Sequence, residues 1–147
     1  MALFLSSYAN RIDAKGRISV PAQFRSALND DRFAGVVLYR SFTHKCIEGL
    51  SMGRMEKLAT ATDKMGVFDD TLDDLSACIF ADARALTFDV TGRIVIPNDL
   101  LKHAGIHETA LFVGRGTSFQ IWNPDEFRKT LEKSLENLRS TRPNLII

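Results

Sequence analysis

Apolar and polar positions along the chain trace the same series of short elements twice. Tyr8, Asn10 and Ile12 alternate ahead of one Asp-x-x-Gly loop, and Leu86, Phe88 and Val90 run into a second. Beyond the loops Ile18 and Val20, and again Ile94 and Ile96, resume the alternation, and a period of two marks half-buried strands. Asp at the first loop position can bond the turn backbone and Gly at the fourth accepts a positive φ, so each copy predicts a β-hairpin. Its tip holds Ala14-Lys15 or Val90-Thr91, with Arg17 or Arg93 just past the turn.

A short helix follows in both copies. Pro21 and Pro97 suit the first helical position, while Phe24 and Leu28, or Leu100, Leu101 and Ala104, supply a buried face, and Gly105 stops the second helix. Strands are predicted next at Val36–Tyr39 and Ala110–Val113, then at Cys46-Ile47 and Phe119–Trp122. Asn123 caps a final helix with Pro124 at its first position, Asp125 and Glu126 facing its dipole, and Phe127, Leu131, Leu135 and Leu138 on one face. Met52, Met55, Leu58 and Ala59 play that part in the first copy. Leu72, Leu75 and Ile79 predict an extra helix over Thr71–Ala81, and residues 140–147 show no periodicity.

The duplication is written in the residues themselves. Asp, Gly, Arg, Ile and Pro of Asp13–Pro21 recur in Asp89–Pro97 at a spacing of 76 residues. A recurring supersecondary unit rarely buries its apolar face alone, so the two copies are expected to close on each other around one core. A chain of 147 residues allows one ordinary domain or two small repeats sharing that core.

Composition, 45% hydrophobic and 25% charged, fits a folded globular chain. The longest apolar runs, such as Met1–Leu5, are far too short to span a membrane and lack the basic flank of a secretory signal, which predicts a cytoplasmic protein. Net charge is only +1, but its distribution is uneven. Arg11, Lys15, Arg17 and Arg25 face Asp13 alone between positions 11 and 25, whereas Asp63, Asp69, Asp70, Asp73, Asp74 and Asp82 face only Lys64 between 63 and 82. Such a split suggests one face turned to polyanions and another kept away from them; a merely solvated acidic linker explains the negative stretch equally well. Cys46 and Cys78 read as packing residues, and His44, His103 and His107 form no ligand pair at metal spacing, so no metal or other cofactor is expected. No nucleophile elbow, glycine-rich phosphate cradle or rigid carboxylate pair is present, which argues against an enzyme; Gly114-Arg115-Gly116 reads as a hairpin turn.

These residues closely resemble the MraZ family of bacterial transcriptional regulators, whose chains carry two tandem SpoVT/AbrB-like units. The likeness rests on the N-terminal Phe4-Leu5-Ser6, on Asp13–Pro21 with Phe24 and Arg25, on the second Gly92-Arg93 and Pro97, and on Phe112–Gly114 ahead of Phe119–Trp122. It implies an α+β fold in which two interleaved AbrB-like swapped-hairpin units close into one β-barrel core with flanking helices. On that basis the first unit spans 6–54, a helical linker 55–82, the second unit 83–126, and a C-terminal helix and tail 127–147.

The resemblance further implies a homo-oligomeric ring, nucleoid-associated, that binds repeated promoter sites in double-stranded DNA and represses its own cell-division and cell-wall gene cluster. The family's Asp-x-x-x-Arg element falls on Asp13, Gly16 and Arg17 and, in the second copy, on Asp89, Gly92 and Arg93, with Lys15 and Arg11 as phosphate contacts beside the first. Without the resemblance, Arg17 and Arg93 would serve as well to anchor their turns through ion pairs with Asp13 and Asp89. Thr91 stands where the first copy has Lys15 and Leu101 where it has Arg25, which predicts that the first repeat makes most of the DNA contact. Phe4, Tyr8 and Phe24 fit core spacing better than base stacking. An antitoxin-like protein-binding module and a ring without DNA specificity are the alternatives, and Met1–Leu5 and Leu145–Ile147 are the candidate contacts between subunits.

Overall fold

A computed structural model of the chain describes residues 2–29, 32–66 and 69–141. The first repeat runs β1 (Ser7–Arg11), β2 (Arg17–Ser19), α1 (Ala22–Leu28), β3 (Gly35–Arg40), β4 (Ile47–Leu50) and α2 (Met52–Asp63). Next, α3 (Asp70–Leu75) continues into a π-helical turn at Ser76–Phe80. The second repeat restates the order as β5 (Arg84–Thr87), β6 (Arg93–Val95), α4 (Asn98–Ala104), β7 (Thr109–Gly114), β8 (Phe119–Trp122) and α5 (Pro124–Thr141).

Local chemistry sets most boundaries. Asn123 Oδ1 accepts from the backbone N–H groups of Asp125 and Glu126 at the start of α5, and Ser51 Oγ does the same for Arg54 at the start of α2. Gly105 ends α4 in the left-handed region at φ 65°. Pro21 and Pro97 stand one place earlier than expected, in extended conformation just before their helices rather than inside them.

Strand pairing is antiparallel, and most of it crosses between the repeats. Six strands form one sheet in the order β1-β7-β8-β4-β3-β5, while β2 and β6 form a separate two-stranded ribbon. Among the described residues only β3 with β4 and β7 with β8 pair inside a repeat; β1 pairs with β7, β2 with β6, β3 with β5 and β4 with β8. This arrangement corrects two expectations. The sheet is not closed into a barrel, because its edge strands β1 and β5 do not pair with each other. Nor are the Asp-x-x-Gly segments tips of paired hairpins: each turn forms, but the strand leaving it gives its ladder to the other repeat instead of folding back on the strand before it.

The sheet packs on both faces. On one, Ile18, Phe24, Leu28, Val36, Leu38, Ile94, Ile96, Leu100, Phe112, Phe119 and Ile121 make a single core drawn from both repeats. Phe24 sits at its centre, with ring centroids 5.3 Å from Phe4, 5.6 Å from Tyr8 and 5.2 Å from Phe119. Phe4, Tyr8 and Phe24 are thus core aromatics. Val37, between Val36 and Leu38, points the other way and packs with Leu50, Met55 and Ile79, so α2 and the π-helical turn cover the opposite face. The ribbon and the acidic helical stretch therefore lie on opposite sides of the sheet.

Two aspartates of that stretch have structural duties. Asp69 caps α3 through the Thr71 N–H, and Asp82 takes the Arg40 guanidinium at 2.6 Å, which holds its carboxyl below the usual range. The cysteines divide. Cys46 is buried, and desolvation pushes its thiol up to about 12, but Cys78 is exposed, contrary to the expectation that both fill cores. Phe4 is buried within the chain, leaving Leu3 and Leu5 as the exposed large side chains of the N-terminal run; Met1 and Leu145–Ile147 lie outside the described residues.

Candidate nucleic-acid interface

The two Asp-x-x-Gly-Arg turns are built alike. Asp13 Oδ1 accepts from the N–H groups of Lys15 and Arg17, both at 2.9 Å, and Asp89 Oδ1 accepts from those of Thr91 and Arg93 at the same distance. Gly16 and Gly92 donate back to the Asp13 and Asp89 carbonyls at 3.0 and 3.1 Å. Their φ values of 83° and 79° are where a side chain is strained. A Cβ on Gly16 would also come within 2.8 Å of the Ile96 carbonyl oxygen. We expect Gly16→Ala to cost about 1–3 kcal/mol in urea unfolding, and an unchanged midpoint would show that the turn adapts.

The second oxygen of each aspartate orients the arginine. Asp13 Oδ2 accepts from Arg17 Nε at 2.7 Å, and Asp89 Oδ2 from Arg93 Nε at 2.9 Å. The terminal guanidinium nitrogens of both arginines make no hydrogen bond or ion pair among the described residues, so each fork is aimed yet unspent. The anchoring role foreseen for these pairs is thus present, and it leaves the arginines able to do more.

Ionisation of the aspartates is tied to the turns. The Arg17 N–H, then the Arg17 side chain, hold the Asp13 carboxyl below the usual range; for Asp89 the Arg93 N–H contributes most, followed by the Thr91 hydroxyl. Since these folded-state values are depressed, the stabilisation is fully present above the ordinary Asp value of 3.8 and is lost as pH falls through the lower folded values. Carboxyl-carbon NMR titration should place the Asp89 midpoint well below 3.8. A midpoint at the ordinary value would contradict the turn chemistry.

The ribbon brings the turns together. Arg17 faces Val95, Ile18 faces Ile94 and Ser19 faces Arg93, while Val20 N–H donates to the Gly92 carbonyl and Ile96 N–H to that of Gly16. Ile18 and Ile94 point into the core, so Arg17, Ser19, Arg93 and Val95 share the outer face. Arg17 and Arg93 are diagonal neighbours across the ribbon, two residues along and one strand over, roughly 7–8 Å apart. The two arginines are 40% and 39% exposed, Lys15 is exposed beside the first turn, and Arg11 is exposed at the end of β1.

Sequence order assigns one cation to the wrong turn. Arg25, on α1 of the first repeat, donates to the Thr91 carbonyl at 3.4 Å, and its guanidinium occupies the space where a Cβ on Gly92 would sit. Its counterpart Leu101 lines the hollow beside Asp13, Lys15 and Gly16. The second turn therefore carries Arg93 and Arg25, where the first carries Arg17 and Lys15.

Known proteins share this chain's sequence over most of its length. The model of one family, "MraZ protein, putative antitoxin-like", matches residues 3–74 and 79–144. A relative from Rickettsia canadensis named Transcriptional regulator MraZ is 41% identical over 134 residues, covering 91% of this chain and 90% of its own. A second, from Pelagibacter ubique and of the same name, is 46% identical over 127 residues, 86% of this chain and 82% of its own.

Proposed function

Since the chain belongs to the MraZ family, we propose that it is a transcription regulator, not an enzyme, and that the outer face of the β2–β6 ribbon reads double-stranded DNA. The supporting observation is the pair of arginines, each held through Nε by its own aspartate and each leaving a terminal fork free on one exposed face. A two-stranded ribbon fits the major groove, where an arginine fork matches the O6 and N7 acceptors of guanine. Lys15 and Arg25 flank the two forks as phosphate contacts, and Arg11, exposed at the end of β1, is proposed as a further phosphate contact. The acidic helices behind the sheet are kept from the duplex by charge and by position.

One subunit offers few cations, so its single contact is weak and readily screened by salt. Repetition of that contact in a homo-oligomeric ring, against promoter sites repeated at helical spacing, makes each later contact intramolecular and raises affinity by about 10²–10⁴. Occupancy of such sites upstream of its own gene cluster would repress it, in the cytoplasm at the nucleoid. Among the described residues no helix is long and apolar enough to cross a membrane.

A gel shift of the purified protein against the duplex upstream of its own gene, with a scrambled duplex as control, tests this reading. Specific retardation, far tighter on a duplex with several repeats than on one with a single repeat, is the expected result. Equal affinity for the scrambled duplex would favour a ring or a protein-binding module without DNA specificity.

A further inference from the structure

The outer face of the β2–β6 ribbon carries two arginines, one serine and one valine. The repeat spacing of 76 residues relates Arg17 to Arg93 and Ser19 to Val95, and antiparallel pairing sets Val95 across from Arg17 and Ser19 across from Arg93. The two halves are therefore alike in their guanidinium and unlike in the side chain opposite it. Val95 is 53% exposed, although its chain neighbours Ile94 and Ile96 are buried. Arg17, its cross-strand partner, is drawn to Asp13 through Nε and leaves the valine more than half open. The Val95 Cγ1 methyl lies 3.7 Å from where a Cβ on Gly16 would stand, so the side chain rests against the first turn, and its branched Cβ restricts χ1 further. A stiff apolar side chain is thus presented beside an unspent arginine fork.

What can cover it follows from what flanks it. In the reading proposed above, the forks of Arg17 and Arg93 take the O6 and N7 acceptors of guanine on the floor of the major groove. A side chain on the same face, one strand from Arg17, approaches the same floor. Among the base edges presented there, the C5-methyl of thymine is the apolar group that a valine complements, whereas a hydroxyl at Ser19 can bond to any base. The sugar-phosphate backbone presents anionic oxygens, which suit Lys15 and Arg25 and give a valine nothing to pack on.

We infer that Val95 is a specificity-determining residue, its exposed methyl surface packing on the C5-methyl of a thymine beside the guanine that Arg17 takes. The inference rests on the DNA-reading ribbon and adds to it a base choice that hydrogen bonds do not make. Because Ser19 holds the equivalent place opposite Arg93, the methyl is read in one half of the ribbon only. Burial of one methyl group is worth about fourfold in affinity for each subunit engaged.

Gel shifts with upstream duplexes in which each thymidine in turn is replaced by deoxyuridine test the contact, since that replacement removes the C5-methyl and leaves every hydrogen-bonding group in place. The wild-type chain should lose about fourfold in affinity for each contacted thymidine replaced. Val95→Ser should bind the unmodified duplex about fourfold more weakly and show no further loss when that thymidine is replaced. Its thermal midpoint should stay near that of the wild type, because the side chain is exposed and serine already serves at the matching place in β2. Ser19→Ala should keep the wild-type loss. A valine that only supported its strand would weaken binding to thymidine and deoxyuridine duplexes by the same factor. Specific binding that no deoxyuridine weakens, or a loss as large in Val95→Ser as in the wild type, would overturn the methyl contact and leave the arginine reading standing. Failure of the wild type to tell the upstream duplex from a scrambled one would overturn the ribbon reading itself, and the methyl contact with it.

Discussion

Replacing both Arg17 and Arg93 by alanine should abolish specific retardation of the upstream duplex while leaving the thermal midpoint near that of the wild type. Each arginine presents a free terminal fork, and a bidentate arginine contact is worth about 1–3 kcal/mol of discrimination, so losing two per subunit removes most of the sequence-reading energy. The fold should tolerate the change because the turns depend chiefly on backbone N–H groups donating to Asp13 and Asp89, and alanine keeps those donors. Each single replacement should weaken binding to a similar degree. Sequence order alone favours the first repeat, but Arg25 reaches across to the second turn and returns the charge that Thr91 lacks. Arg25→Ala and Lys15→Ala should each act evenly on specific and scrambled duplexes, lowering the salt slope by about 0.9 for each phosphate no longer neutralised. A double Arg17/Arg93 variant that binds the upstream duplex like the wild type would remove the ribbon face as the reading surface.

What was legible in the sequence was local. The Asp-x-x-Gly-Arg turns, the Gly105 stop and the Asn123-Pro124 start all depend on bonds spanning a few residues, and they form as expected. Strand choice of partner was not legible. β2 and β6 have three residues each and the same apolar centre, Ile18 or Ile94, so alternation cannot say whether β2 folds back on β1 or crosses to β6. That one choice decides whether the sheet closes. It also decides where Arg25 goes, because the helix after β2 follows its strand into the other repeat's turn. For the site, residue identity could be read from the motif, whereas the pairing of cations with turns needed the three-dimensional exchange. Cys78 shows the same limit on a smaller scale: it shares an apolar segment with its neighbour Ile79, yet Ile79 is buried against the sheet while Cys78 faces solvent.

Residues 1–70 expressed alone should give no cooperative thermal transition as a monomer, although they contain a complete repeat. Of the ladders described, β3 with β4 alone would survive, and an isolated two-stranded pair is marginal in water at best. Phe24 would lose Phe119 and Phe112, and Ile18 would lose Ile94 opposite it, at about 1.5–3 kcal/mol for each large side chain returned to solvent. Together with the lost ladders, those losses match the roughly 3–5 kcal/mol that the core of so short a chain supplies. Adding residues 71–147 in trans should restore a cooperative transition, since the missing partner strands β5, β6, β7 and β8 all lie on that fragment. Any transition that residues 1–70 show by themselves should shift with protein concentration, because a second copy can offer the same apolar faces that the second repeat normally supplies. A concentration-independent, cooperative transition from monomeric residues 1–70 would mean that each repeat holds a core of its own, and that the exchange of strands between them is not what makes the fold.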